Sequence, residues 1–177
     1  DLQKQVGVSH KEAFELLVLF SDKLQPLIVE TRLVRIEQGV SVEAEGIRVE
    51  SPEWRDCTVP EGHANTFVRQ WIAQDIRSRP LRIVSEFKER VPLLLGFSYL
   101  NTVRVTKLIP SGSACRVEHV ISFPGGGGSQ YFECMPQQPN QCVVRDVFDI
   151  TCPAILGQFV ARTATKAHTE MLERLRI

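Results

Sequence analysis

The sequence predicts an α+β chain in which a curved antiparallel sheet wraps around one long C-terminal helix. Three observations predict it. From Cys152 to Ile177 the apolar residues Ile155, Leu156, Phe159, Val160, Ala164, Ala167, Met171, Leu172 and Leu175 recur at the three-and-four spacing of one wide helical stripe. From Pro80 to Phe123 apolar and polar residues alternate strictly enough for consecutive antiparallel strands. Between Leu27 and Ser51 a hairpin pattern changes its apolar parity at Gly46, as a bulged and bent strand would. A stripe that wide needs a broad cover, and a bent sheet supplies one.

The elements follow in order. LQKQVGV reads as a short first strand. Ser9 to Glu12, SHKE, has the capping-box pattern, so a helix starts there, runs through Phe14, Leu17 and Phe20 to Leu24, and stops before Pro26. A tight turn is expected at Gln38-Gly39 between hairpin arms Leu27–Gln38 and Val40–Ser51. Ser51 to Asn65 lacks a period and holds two Pro and a Gly, the marks of a loop; Thr66 to Ser78 fits a helix ended before Pro80, the favoured reading, while Phe67, Trp71 and Ala73 also fit a strand.

Three strands follow, the first with Leu81, Ile83, Ser85, Phe87, Glu89 and Val91 on one face. The second puts Phe97, Tyr99, Val103 and Val105 together, and the third Cys115, Val117, His119, Ile121 and Phe123, with turns at Pro92–Gly96 and Pro110–Ser113. Pro124 to Gln141, PGGGGSQYFECMPQQPNQ, reads from its composition as a flexible loop, and GGGGS also looks like an engineered linker. A last strand places Cys142, Val144, Asp146, Phe148 and Ile150 on one face. Thr151 is placed to cap the terminal helix and Pro153 to occupy its first turn.

Length and charge set the bounds. At 177 residues one domain covering the whole chain is expected. Lys plus Arg and Asp plus Glu number 21 each, so no net basic field draws nucleic acid. No apolar run reaches the roughly 20 residues of a membrane span, which leaves open only a transient contact with a membrane surface. Five irregularly spaced Cys favour reduced thiols and a cytoplasmic setting over a disulfide framework, with Cys134 and Cys142 the one pair that could bridge. The chain begins at Asp1, which reads as a trimmed chain lacking its address segment.

No zinc spacing, hydrolase elbow or dinucleotide turn occurs, so no metal or cofactor is expected. Cys152 before a helix invites a reactive thiol, but a small buried residue is the commoner meaning. What remains are polar residues on faces that should be apolar: Ser85, Glu89, Asn101, His119 and Asp146. A polar group buried without a partner costs about 1 to 3 kcal/mol, so each is paired, wet or facing a ligand. His119 stands out, either as a core histidine bonded to a neighbour such as Asp146 or as a group that meets a guest.

The stretches KQVGVSHKEAFELL, VRVTKLIPSGSACRVEHVISF and CPAILGQFVARTATKAHTEMLERL resemble the opening, mid-sheet hairpin and closing helix of the helix-grip fold of the START-related and polyketide-cyclase superfamily. The resemblance covers nearly the whole chain and is one of architecture. It implies a cavity between sheet and terminal helix that binds or transfers a hydrophobic small molecule, such as a lipid, sterol or polyketide-like compound. The rival implication is a cyclase or dehydratase in which His119, Asp146 or Glu89 moves a proton, and a third is an interaction domain with a filled core. The family has no invariant catalytic motif, so the resemblance carries over no catalytic residue. The candidate ligand-binding residues are Ser85, Phe87, Tyr99, Asn101, His119 and Asp146 on the sheet, with Phe159 and Thr163 on the helix.

Overall fold

The computed structural model describes residues 1–40, 43–44, 47–48, 53–60, 62–73, 79–92, 97–110 and 116–175. Leu2–Val6 (β1) leads into helix His10–Leu24 (α1), whose cap is the expected one: the Ser9 hydroxyl oxygen accepts the Glu12 amide at 3.3 Å. Strands Ile28–Val40 (β2), Glu43–Ala44 (β3), Ile47–Arg48 (β4) and Glu53–Asp56 (β5) come next, then helix Ala64–Ala73 (α2). Leu81–Pro92 (β6), Ser98–Ile109 (β7), Arg116–Phe123 (β8), Gly126–Gln138 (β9) and Gln141–Thr151 (β10) form a meander. A 3-10 turn, Ala154–Leu156, introduces the final helix Gly157–Arg174 (α3).

Eight strands make one antiparallel sheet in the order β1-β10-β9-β8-β7-β6-β2-β5, and β3 and β4 form a separate pair. The sheet is curved, as the stripe on the last helix required. Its bends have a visible source in β2, whose register against β6 shifts between Ile28 and Glu30 and again between Leu33 and Arg35.

Four expectations are corrected. The Gln38-Gly39 turn is absent, because β2 runs on to Val40 and is held on both sides: Gly39 donates to the Pro80 carbonyl at 2.9 Å and faces Trp54 of β5. The stretch read as loop from Ser51 therefore contains an edge strand, Glu53–Asp56. The flexible loop expected at 124–141 is largely strand. Its turn is Pro124-Gly125, with Gly125 at φ +83°, and β9 starts at Gly126. Thr151 ends β10 instead of capping α3; Leu156 stands at the cap with no side-chain bond. Gly46, residues 93–96 of the Pro92–Gly96 turn, residues 111–113 of the Pro110–Ser113 turn, Cys115 and the end of the Thr66–Ser78 helix lie outside the described residues.

One core joins α1, the C-terminal half of α3 and the middle of the sheet: Val6, Ala13, Phe14, Leu17, Leu81, Ile109, Val117, Phe132, Val144, Met171, Leu172 and Leu175 pack together. Cys134 and Cys142 are buried in it, but they face Val144 and Pro136 across β9 and β10 instead of each other. A smaller apolar cluster of Phe87, Val103 and Val105, flanked by Ile28, Ile121 and Phe123, lies towards the other end of the sheet. There the helix above presents Val160, Thr163 and Ala164, side chains too short to fill the space, so the two clusters are divided by a cavity.

Candidate functional site

The cavity between the curved sheet and α3 has a volume of about 190 Å³. Phe87, Val103, Val105, Ile121 and Phe123 line it from the sheet, and Phe159, Val160, Thr163, Ala164 and Ala167 from the helix. Gly127 and Gly128 of β9 also line it. Most of its wall is therefore apolar, and its polar groups are few: Ser21, Gln25, Glu89, Asn101, Thr163, His119, Gln130 and His168.

The deepest of these are organised by one carboxylate. Asp146 of β10 is fully buried. Its Oδ1 accepts from Gln130 Nε2 at 2.8 Å, and its Oδ2 lies 2.6 Å from His168 Nδ1. A carboxylate only accepts, so Nδ1 carries the proton. Gln130 Nε2 and His168 Nδ1 are 3.0 Å apart, as two donors converging on one group must be. The His168 ring is further fixed by stacking on Phe148 at 4.5 Å between centroids. The local sequence explains the meeting: Asp146 alternates inward with Val144 and Phe148, Gln130 with Gly128 and Phe132, and His168 follows Ala164 by one helical turn.

His119 lies beside this group on β8, 5 % exposed, opposite Gln130 in the register and edge-on to Phe132 at 5.4 Å. Its Nε2 is buried and has no hydrogen-bond partner among the described residues. Burial, with the Lys107 ammonium nearby, pushes its pKa from 6.5 down to about 3, so the ring is neutral over the ordinary pH range. Lys107 is itself buried and donates to the Val18 carbonyl at 3.0 Å. On β6, burial pushes the Glu89 carboxyl above the usual carboxylate range, with His168 pulling weakly the other way.

Of the eight residues expected from the sequence, Phe87, Asn101, His119, Phe159 and Thr163 line the cavity. Three do not. Asp146 stands behind the wall and acts through Gln130 and His168. Ser85 faces a second, smaller cavity beneath α1 and α2, lined also by Val18, Val68 and Lys107. Tyr99 keeps the inward parity but sits near the strand end and is half exposed. Phe159 is at the mouth, 38 % exposed, and not in the closed interface where the stripe had placed it. His168, Gln130 and Ser21 were not anticipated. His168 was legible, since it shares the stripe with Ala164 and Met171; Gln130 was lost with the strand misread as loop.

No family model and no curated protein sequence matches the chain. Solved structures do. The chain is similar to an aromatase/cyclase, Zhui, from Streptomyces sp. R1128, at a TM-score of 0.56 and 9 % identity over 98 % of this chain and 88 % of that one. It is similar to a START superfamily protein from Mycobacterium smegmatis at 0.52 and 12 %, over 97 % and 92 %, and to a protein from Thermus thermophilus at 0.50 and 10 %, over 98 % and 91 %. Among the described residues no helix is long and apolar enough to cross a membrane. Strand order, curved sheet and gripped C-terminal helix together give this chain a helix-grip fold, similar to that of these structures.

Proposed function

We propose that this chain binds a hydrophobic small molecule, of lipid, sterol or polyketide-like character, in the cavity between the sheet and α3. The observation that carries the reading is the cavity's lining: an apolar wall with a few polar groups fixed by a buried carboxylate, the usual make-up of a ligand site. At about 190 Å³ it is smaller than the roughly 300 Å³ at which drug-sized pockets begin, so it suits a fused-ring or single-chain portion of such a guest. Phe87, Asn101, His119, Phe159 and Thr163 would contact it, with Asp146 as a positioning residue.

A cyclase or dehydratase reading is favoured by one feature, the Asp146-oriented His168 at the cavity wall, which has the form of a held general base. The similarity to an aromatase/cyclase fits either reading, because fold alone does not carry activity. Native mass spectrometry with organic extraction of the purified protein tests both. A bound apolar molecule recovered unchanged after long incubation supports binding. Its conversion to a product lighter by one water supports the dehydratase. A protein that carries no guest and takes up none from a panel of apolar compounds contradicts the proposal.

A further inference from the structure

The cavity holds an acid that its walls do not answer. Among the described residues no Lys and no Arg lines it, and its titratable groups are Glu89, His119 and His168. His168 is matched already by the buried Asp146 carboxylate, 2.6 Å from its Nδ1, so the two together are neutral if the ring takes a second proton and negative if it does not. Glu89 has no such match, for its carboxyl makes no hydrogen bond and no ion pair with any described residue. Strand parity turns Lys88 and Arg90 to the opposite face of β6, where Lys88 pairs with Glu30. The carboxyl is also within reach of a guest. Glu89 is partly exposed, its register neighbours Ile28 and Asn101 line the same cavity, and the unpartnered side-chain atoms closed to solvent are those of Ser21 and His119, which leaves the Glu89 oxygens open. Burial, partly offset by His168, holds this carboxyl above the usual carboxylate range, as it does an acid short of a counter-charge.

We infer that the hydrophobic guest carries a basic nitrogen, whose ammonium group pairs with Glu89 while its carbon frame lies among the rings of Phe87, Phe123 and Phe159. The inference rests on the cavity being the binding site and narrows what that site takes to a lipophilic amine. An acidic guest brings a second carboxylate to a wall without Lys or Arg, and an alcohol brings a hydrogen bond but no charge. An ammonium supplies the missing charge, donates through several N–H groups and is drawn to aromatic faces. The preference runs against simple transfer, because a cation leaves water less readily than the alcohol of the same shape, and a featureless apolar cavity would take the alcohol. Nor does the chain as a whole attract cations, with 21 Lys plus Arg against 21 Asp plus Glu.

The test is calorimetric titration of the full chain with 1-naphthylmethylamine and with 1-naphthalenemethanol, in wild type and in Glu89→Gln, with Glu89→Leu as the alternative should Gln not fold. Wild type should prefer the amine, and the ratio of the alcohol's Kd to the amine's should fall by roughly tenfold to a hundredfold on either substitution, the equivalent of one hydrogen bond to a charged group. Carbon spectra of the side-chain carboxyls give a reading free of mutation: at a pH within its titration, the Glu89 carboxyl signal of wild type should move to its ionised position on adding the amine and stay in place with the alcohol. An alcohol that binds as well as the amine, a ratio unmoved by the substitutions, or a Glu89 signal that does not answer the amine overturns the inference while leaving the cavity as the binding site. Failure of both compounds to bind overturns the cavity reading and this inference with it.

Discussion

His119 is an imidazole that its surroundings keep neutral. In the unfolded chain it takes a proton near pH 6.5, but folded, among Lys107, Gln130 and His168, it takes one only at about pH 3. Acid therefore favours the unfolded chain between those values, at about 1.4 kcal/mol per pH unit for one such group, and stability is lost as the pH falls. His119→Gln removes that proton-binding site, so its melting temperature should fall less steeply than wild type's from about pH 6.5 to about pH 4. Parallel curves for the two proteins would show that the ring is not held neutral. Inward parity was enough to find His119 and Asp146 in the sequence, since each alternates with apolar residues a core must claim. What parity lacked was the partner: that Asp146 meets His168, and not His119, depends on how far along the sheet α3 lies, a fact no single segment contains.

Among the elements, β9 shows composition and structure pulling apart. Four glycines in a row suggested a chain too supple to pack, yet Gly127 and Gly128 are paired on both sides, to β8 and β10, and Gly126 is paired to β8. They are glycine because of close approach. A Cβ on Gly128 would press into the Asp149 carbonyl oxygen, and one on Gly126 into the Thr151 carbonyl and the Phe123 ring. Strand propensity alone would make Gly128→Val stabilising by up to about 1 kcal/mol. The contact with backbone reverses that sign, because the carbonyl belongs to the ladder and cannot yield cheaply, and a loss of about 2 kcal/mol or more is expected in denaturant unfolding. A more stable variant would mean that β9 is not seated as described. Gly39 misled in the same way, for a Gln-Gly pair between alternating arms is a sound turn signal until pairing on both edges holds it straight.

In the molecule as a whole, the terminal helix has two duties along one stripe. Its last turns, with Met171, Leu172 and Leu175 buried, belong to the core; its earlier turns roof the cavity with Val160, Thr163, Ala164 and Ala167. The 3.6-residue spacing announced the stripe but could not say where core gives way to cavity, because a helix over empty space and a helix over a sheet have the same periodicity. This is why Phe159 reads as interface in the sequence and stands at the mouth in the structure. The most direct test of a ligand cavity is to fill it. Ala164, half-buried in the roof, replaced by Trp puts an indole into the space while leaving Asp146, His119 and the core residues themselves unsubstituted. Titration with the fluorescent probe N-phenyl-1-naphthylamine should saturate at one site in wild type and fall at least tenfold in affinity in a folded Ala164→Trp, since the probe and the indole cannot share the cavity. Equal binding by the two folded proteins would place the guest elsewhere and contradict the account.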